Sequence, residues 1–98
     1  MYASELGGSR SGFTVVGVAS VLVLQANRYR KKSQLTNDSA NVIFVDKGPE
    51  AALNSGIRLN ANGGVWENEP DTFGRLWTGP ISAISAVAAQ NLCWTEDW

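Results

Sequence analysis

The chain has 98 residues, 44% of them apolar, with eight Lys and Arg against nine Asp and Glu for a net charge of −1. That length supports one small core, and the near-neutral balance gives no bias toward nucleic acid or a membrane surface. Histidine is absent and Cys93 is the single cysteine, so the commonest general base and metal ligand are missing and an internal disulfide or a cysteine-based metal site is excluded. No cofactor and no metal is expected, and the composition points away from an enzyme.

Residues 1–12 (MYASELGGSRSG) are small and polar, without apolar periodicity. They read as an extended N-terminal arm that gains order from a partner, which leaves residues 13–98 as the folded domain. Residues 13–18 and 21–26 read as two strands, or as one bent strand broken at Gly17–Ser20. The apolar run 13–24 loosely imitates a signal peptide. It is too short to span a bilayer, and its Val and Thr content suits β structure.

Residues 30–37 form the next expected strand, closed by the turn Asn37-Asp38-Ser39-Ala40. Residues 41–46 read as the central strand. Val42 and Phe44 face one side and Ile43 and Val45 the other, which predicts burial on both faces. Lys47-Gly48-Pro49 ends it, and residues 50–54 have room for one helical turn. A short strand follows at 57–59, then a flexible turn through Gly63-Gly64. A strand at 65–69 is stopped by Pro70. After a loop at 70–77, residues 81–87 and 92–97 close the domain, read as a hairpin around 88–91. Short apolar runs at this spacing, each ended by turn residues, predict an all-β fold: an antiparallel β-sandwich, jelly-roll or Ig-like.

Charge divides unevenly. Residues 1–47 hold six basic side chains against three acidic ones, and residues 48–98 hold two against six. The densest basic cluster is Arg28, Arg30, Lys31 and Lys32, interleaved with Tyr29. Its simplest reading is an edge strand whose lysines repel unwanted pairing. The next is a contact with an acidic face of a neighbouring subunit, with Glu67, Glu69 and Asp71 as the complement; phosphate contact ranks below both. Those three carboxylates lack the glycine and bidentate Glu of a calcium loop, so a solvated strand end is the preferred reading. The four tryptophans, Trp66, Trp77, Trp94 and Trp98, suit core or interface packing better than a sugar platform. Cys93 has no histidine to activate it and reads as an inert thiol.

The ordered elements Asn27 to Arg30, Leu35 to Ser39, Asn41 to Val45, Gly56 to Gly64, Thr78 to Ile84 and Thr95 to Trp98 together resemble small β-sandwich structural proteins of tailed bacteriophage virions. The resemblance covers roughly residues 20–98 and leaves the arm outside. Lys31, Lys32 and Ser33 depart from it, as do the additional tryptophans. It implies a virion part, either a capsid decoration or cement protein or a tail or baseplate module; a carbohydrate-binding sandwich is the alternative from another class. The implied partners are the major capsid protein, other virion proteins and further copies of the chain, a trimer among the options, with neither nucleic acid nor membrane as a partner. The capsid surface is the expected location. The expected contact residues are Tyr2 and Leu6 on the arm, and Arg28, Arg30, Lys31, Lys32, Trp66 and Trp77 on the sandwich.

Overall fold

The computed structural model describes residues 7–98. Tyr2 and Leu6, the expected contacts of the arm, lie outside these residues. Eight strands follow in chain order: β1 (Ser9–Val16), β2 (Val21–Leu24), β3 (Lys32–Asn37), β4 (Ile43–Asp46), β5 (Ile57–Leu59), β6 (Val65–Asn68), β7 (Ile81–Ser85) and β8 (Gln90–Asp97). They form two four-stranded antiparallel sheets, β1-β8-β3-β6 and β2-β7-β4-β5. The chain is therefore an all-β sandwich. Its partnerships run from the outside of the sequence inward, β1 with β8, β2 with β7, β3 with β6 and β4 with β5. The pattern is that of a single folded ribbon rolled onto itself.

The core lies between the sheets. Val16, Leu35 and Leu92 from the first sheet meet Leu24, Ile43, Val45, Leu59, Ile81 and Ala83 from the second. In β3 the alternation is strict: Ser33, Leu35 and Asn37 are buried, while Lys32, Gln34 and Thr36 are half-buried on the other face. The period of two places every second side chain in the core. Trp66, Trp77 and Trp94 pack partly buried against its rim. Asn37 is buried as a bracket for the neighbouring turns, its Nδ2 donating to the carbonyls of Asn41 at 2.8 Å and Leu59 at 3.0 Å.

Several expectations need correction. The arm was expected to run to residue 12, but Ser9–Val16 is a strand paired along its whole length with β8. Gly8 exchanges both backbone bonds with Trp98. Gly8 and Gly12 supply the room: a Cβ on either would stand 2.6 Å from the Trp98 ring and 2.8 Å from the Trp94 ring, respectively. These glycines look like flexible polar sequence, yet they let two indoles lie across the strand. Residues 13–26 are not one bent strand, because β1 and β2 belong to different sheets. Nor do β7 and β8 form a hairpin; the chain crosses between sheets at residues 86–89.

The central-strand reading holds only in part. Ile43 and Val45 are fully buried, but Phe44 is half-buried on the outer face of its sheet, opposite Arg58 and Ile84. The strand buried throughout is β7, ISAIS. Its serines are bonded on either side of β4: Ser82 Oγ donates to the Gly48 carbonyl, just past β4, at 2.9 Å, and Ser85 Oγ donates to the Val42 carbonyl, just before β4, at 3.0 Å. Residues 50–54 form no helical turn; a turn lies at Leu53–Asn54.

Candidate functional site

Arg30 stands just ahead of β3, at the end of a turn built by Asn27. The Asn27 side chain accepts the Tyr29 N–H at 3.0 Å, its carbonyl accepts the Arg30 N–H at 3.0 Å, and its own N–H donates to the Thr78 carbonyl at 2.8 Å. An Asx-type turn of this kind fixes the chain direction locally, and here it sends Arg30 inward. Its side chain has no exposure.

Inside, Arg30 is the hub of one end of the sandwich. Nε donates to Glu96 at 2.8 Å, Nη1 to the carbonyls of Gly79 at 2.9 Å and Trp77 at 3.2 Å, and Nη2 to the Gln25 carbonyl at 2.8 Å. One guanidinium thus ties the end of β2, the β6–β7 loop and β8 together. Glu96 is buried with 1% side-chain exposure, and its second oxygen accepts Arg10 Nε from β1 at 3.0 Å. Asn27 Nδ2 also reaches Glu96, at 3.4 Å. Arg10 lies half in water, its guanidinium 5.4 Å from the Trp94 ring centre, a cation–π distance.

Beside this hub opens a cleft of about 340 Å³ lined by Arg10, Gln25, Ala26, Asn27, Glu96 and Trp98. Glu96 lines this cleft with both of its oxygens engaged by cations. Every buried side-chain nitrogen and oxygen among the described residues has a partner. The hub therefore fastens strands together, and its chemistry is that of a clamp.

The described members of the expected contact set differ in exposure: Arg28 and Lys31 are exposed, Lys32, Trp66 and Trp77 are partly buried, and Arg30 is buried. Arg30 is the plain correction: it is internal, because a buried carboxylate needs a cation, and it is unavailable to a partner. Arg28 bonds the Tyr29 hydroxyl at 3.0 Å and lies over that ring. Lys32 pairs with Glu69 at 3.5 Å, both partly exposed. Asp71 turns back on its own loop, accepting the N–H groups of Phe73 and Arg75 and the Arg75 side chain at 2.9 Å. The Arg75 backbone N–H is the main reason its carboxyl is held below the usual aspartate value; desolvation opposes it, and the Phe73 N–H and the Arg75 side chain add smaller lowering effects. Glu69 and Asp71 thus take different partners, and no metal-binding group of three His, Cys, Asp or Glu exists among the described residues.

None of the four tryptophans is fully exposed. Trp77 is pinned by its Nε1 donating to the Pro80 carbonyl at 2.8 Å, and its ring sits where a Cβ on Gly79 would be. Trp94 Nε1 donates to Thr14 Oγ1 at 3.2 Å. Cys93 is half-buried. No helix among the described residues is long and apolar enough to cross a membrane.

Glu96 escaped attention in the sequence, although a signal was there. Leu92, Trp94 and Glu96 share one face of a strand by their spacing. A carboxylate in register with core residues calls for a buried cation. Compared with known proteins, the chain matches no family model, no curated protein and no solved structure.

Proposed function

We propose that this chain is a jelly-roll structural protein of a tailed-bacteriophage virion, seated on the capsid surface as a decoration protein. The observation that supports the reading is the strand order, β1-β8-β3-β6 facing β2-β7-β4-β5. Eight strands in two Greek-key halves define the jelly roll, an architecture used by viral capsid domains and by lectins. The support is at the level of fold, and the sequence resemblance to small virion sandwiches points the same way. The site geometry adds a further reason: the strongest polar cluster is a structural clamp, which suits a part that bears load. The proposed action is mechanical, adding buried interface between shell subunits. The partners are the major capsid protein and other copies of the chain.

A lectin-like role on the same architecture is less well supported. It asks for at least two tryptophans presenting open faces on one surface, and all four are at least half-covered. The test is direct. Antibodies against the purified protein, applied with gold label to virus particles from cells that encode the chain, should decorate the heads. Label on tails would transfer the protein to the tail, and particles free of label in preparations where the chain is expressed would refute the virion role.

A further inference from the structure

The four sheet edges are unequally defended. β6 has four residues, carries Glu67, and is followed by Glu69 and Pro70. β5 has three residues and a central Arg58. β2 has four residues with a register shift between Leu22 and Leu24. Short length, charge, bulges and proline are the usual protections of an edge. β1 has none of these except Arg10 near its start. It is eight residues long, and its register with β8 is unbroken.

The pairing with β8 settles which groups are left over. Gly8 and Trp98 exchange both backbone bonds, and in an antiparallel ladder the bonded pairs alternate. Residues 10, 12, 14 and 16 therefore face β8, and Ser9, Ser11, Phe13 and Val15 turn their N–H and C=O off the open edge. Beyond the strand ladders, no backbone hydrogen bond among the described residues uses them. Two apolar side chains of this strand are exposed, Phe13 at 66% and Val15 at 57%. Not one residue from Ser11 to Asn27 is charged.

We propose that β1 is a self-association edge, pairing antiparallel with β1 of a second copy about a two-fold axis at Phe13. The alternation requires an axis at a residue and not between residues, because only groups on odd-numbered residues face outward. With the axis at Phe13, that residue meets Phe13 of the second copy, and Ser11 meets Val15 of the second copy in both directions. Aromatic and β-branched side chains then cluster on one face, the favourable kind of cross-strand contact. Arg10 of each copy falls toward opposite ends of the pairing, so like charges stay apart. A neutral flank offers nothing to a charged partner and does not repel itself, and its outward groups are self-complementary about Phe13; a second copy is the occupant that meets both conditions. Two sheets of four would become one continuous sheet across the dimer. The pairing goes beyond the virion role and does not rest on it; a trimer would have to be built through other surfaces.

Sedimentation of the purified chain from ~1 µM to ~1 mM should show a concentration-dependent dimer. Val15→Lys, at an exposed position, and Ser11→Pro, which removes only an outward N–H, should each weaken it by at least about tenfold while circular dichroism stays native. Val65→Lys, on the far strand β6, should leave it unchanged. Hydrogen exchange gives the sharper readout: the Phe13 and Val15 amides should be protected at high concentration and exchange on dilution, with Thr14 protected throughout. A chain monomeric over the whole range overturns the proposal. So does a dimer lost with Val65→Lys but kept with Val15→Lys, or one whose Phe13 and Val15 amides never gain protection. A monomer whose Phe13 and Val15 amides become protected only when a peptide from another protein is added would also overturn it. Failure here leaves particle labelling untouched, so the two readings fall separately.

Discussion

Replacing Arg30 by Met keeps much of the side-chain volume and removes the charge. Glu96, with 1% exposure, would then keep only Arg10 and Asn27 as partners. The carbonyls of Gln25 and Gly79 would lose that donor, and the Trp77 carbonyl would keep only Asn68 Nδ2. Breaking a buried pair by removing one partner typically costs about 3–5 kcal/mol. A small domain has about 5–15 kcal/mol in all, so Arg30→Met should remove a large part of the stability. With a urea slope of about 1.5 kcal/mol/M, a loss of about 3 kcal/mol moves the unfolding midpoint down by about 2 M. The double variant Arg30→Met/Glu96→Leu should recover part of that loss. It no longer strands a carboxylate, and Arg10, half in water, can turn to solvent. The remaining deficit belongs to the carbonyls. A single variant whose midpoint moves by less than about 0.5 M would refute the clamp, as would a double variant costing the full sum of both single changes.

Three further outcomes follow from the burial and the backbone. Phe44→Ala should cost only about 1 kcal/mol, since the ring is half-buried on an outer face, whereas Leu35→Ala at the centre should cost about 2–5 kcal/mol; chemical denaturation that ranks them the other way would relocate the core. Gly64→Ala should destabilise by roughly 1–3 kcal/mol or more, because its Cβ would stand 2.4 Å from the backbone N and O of Asn60, atoms that cannot swing aside; a thermal midpoint equal to wild type would count against that close approach. Asp71 should titrate below 3.8. A folded value depressed in this way stabilises the loop above the unfolded value, and that support is lost as pH falls through the folded one. A carboxyl chemical-shift titration with its midpoint at or above 3.8 would show that the Arg75 and Phe73 N–H bonds are not made.

The fold was legible wherever a strand alternates or a turn residue has a single use. β5 appears with the bounds expected of it, and β3, β6 and β8 differ from expectation by one or two residues at their ends. What eluded the sequence was partnership between strands. β7 and β8 are close in sequence and antiparallel in sense, so local reasoning makes them a hairpin. Their separation into two sheets follows from pairings with β1, β2, β3 and β4, whose information is spread over the whole chain. Phe44 misled for a related reason. A run of four apolar residues cannot say which face is covered, and ISAIS does not advertise burial; its serines find their partners in Gly48 and Val42, on either side of β4.

The basic cluster shows how charge read along a chain can mislead. Arg28, Arg30, Lys31 and Lys32 are close in sequence, but the turn that Asn27 starts and Arg30 ends divides their fates. Arg30 goes to Glu96 in the interior, Lys32 reaches Glu69 across the β3–β6 edge, and Arg28 and Lys31 remain at the surface. An exposed pair such as Lys32–Glu69 is worth about 1 kcal/mol or less and is weakened by salt. The Arg30–Glu96 bond is shielded from both effects. A combined change of Arg30, Lys31 and Lys32 would therefore mix surface chemistry with loss of the clamp, and impaired docking by such a variant would say nothing about a contact surface. Arg28 and Lys31 are the cationic positions of the cluster at which docking can be probed with the fold intact.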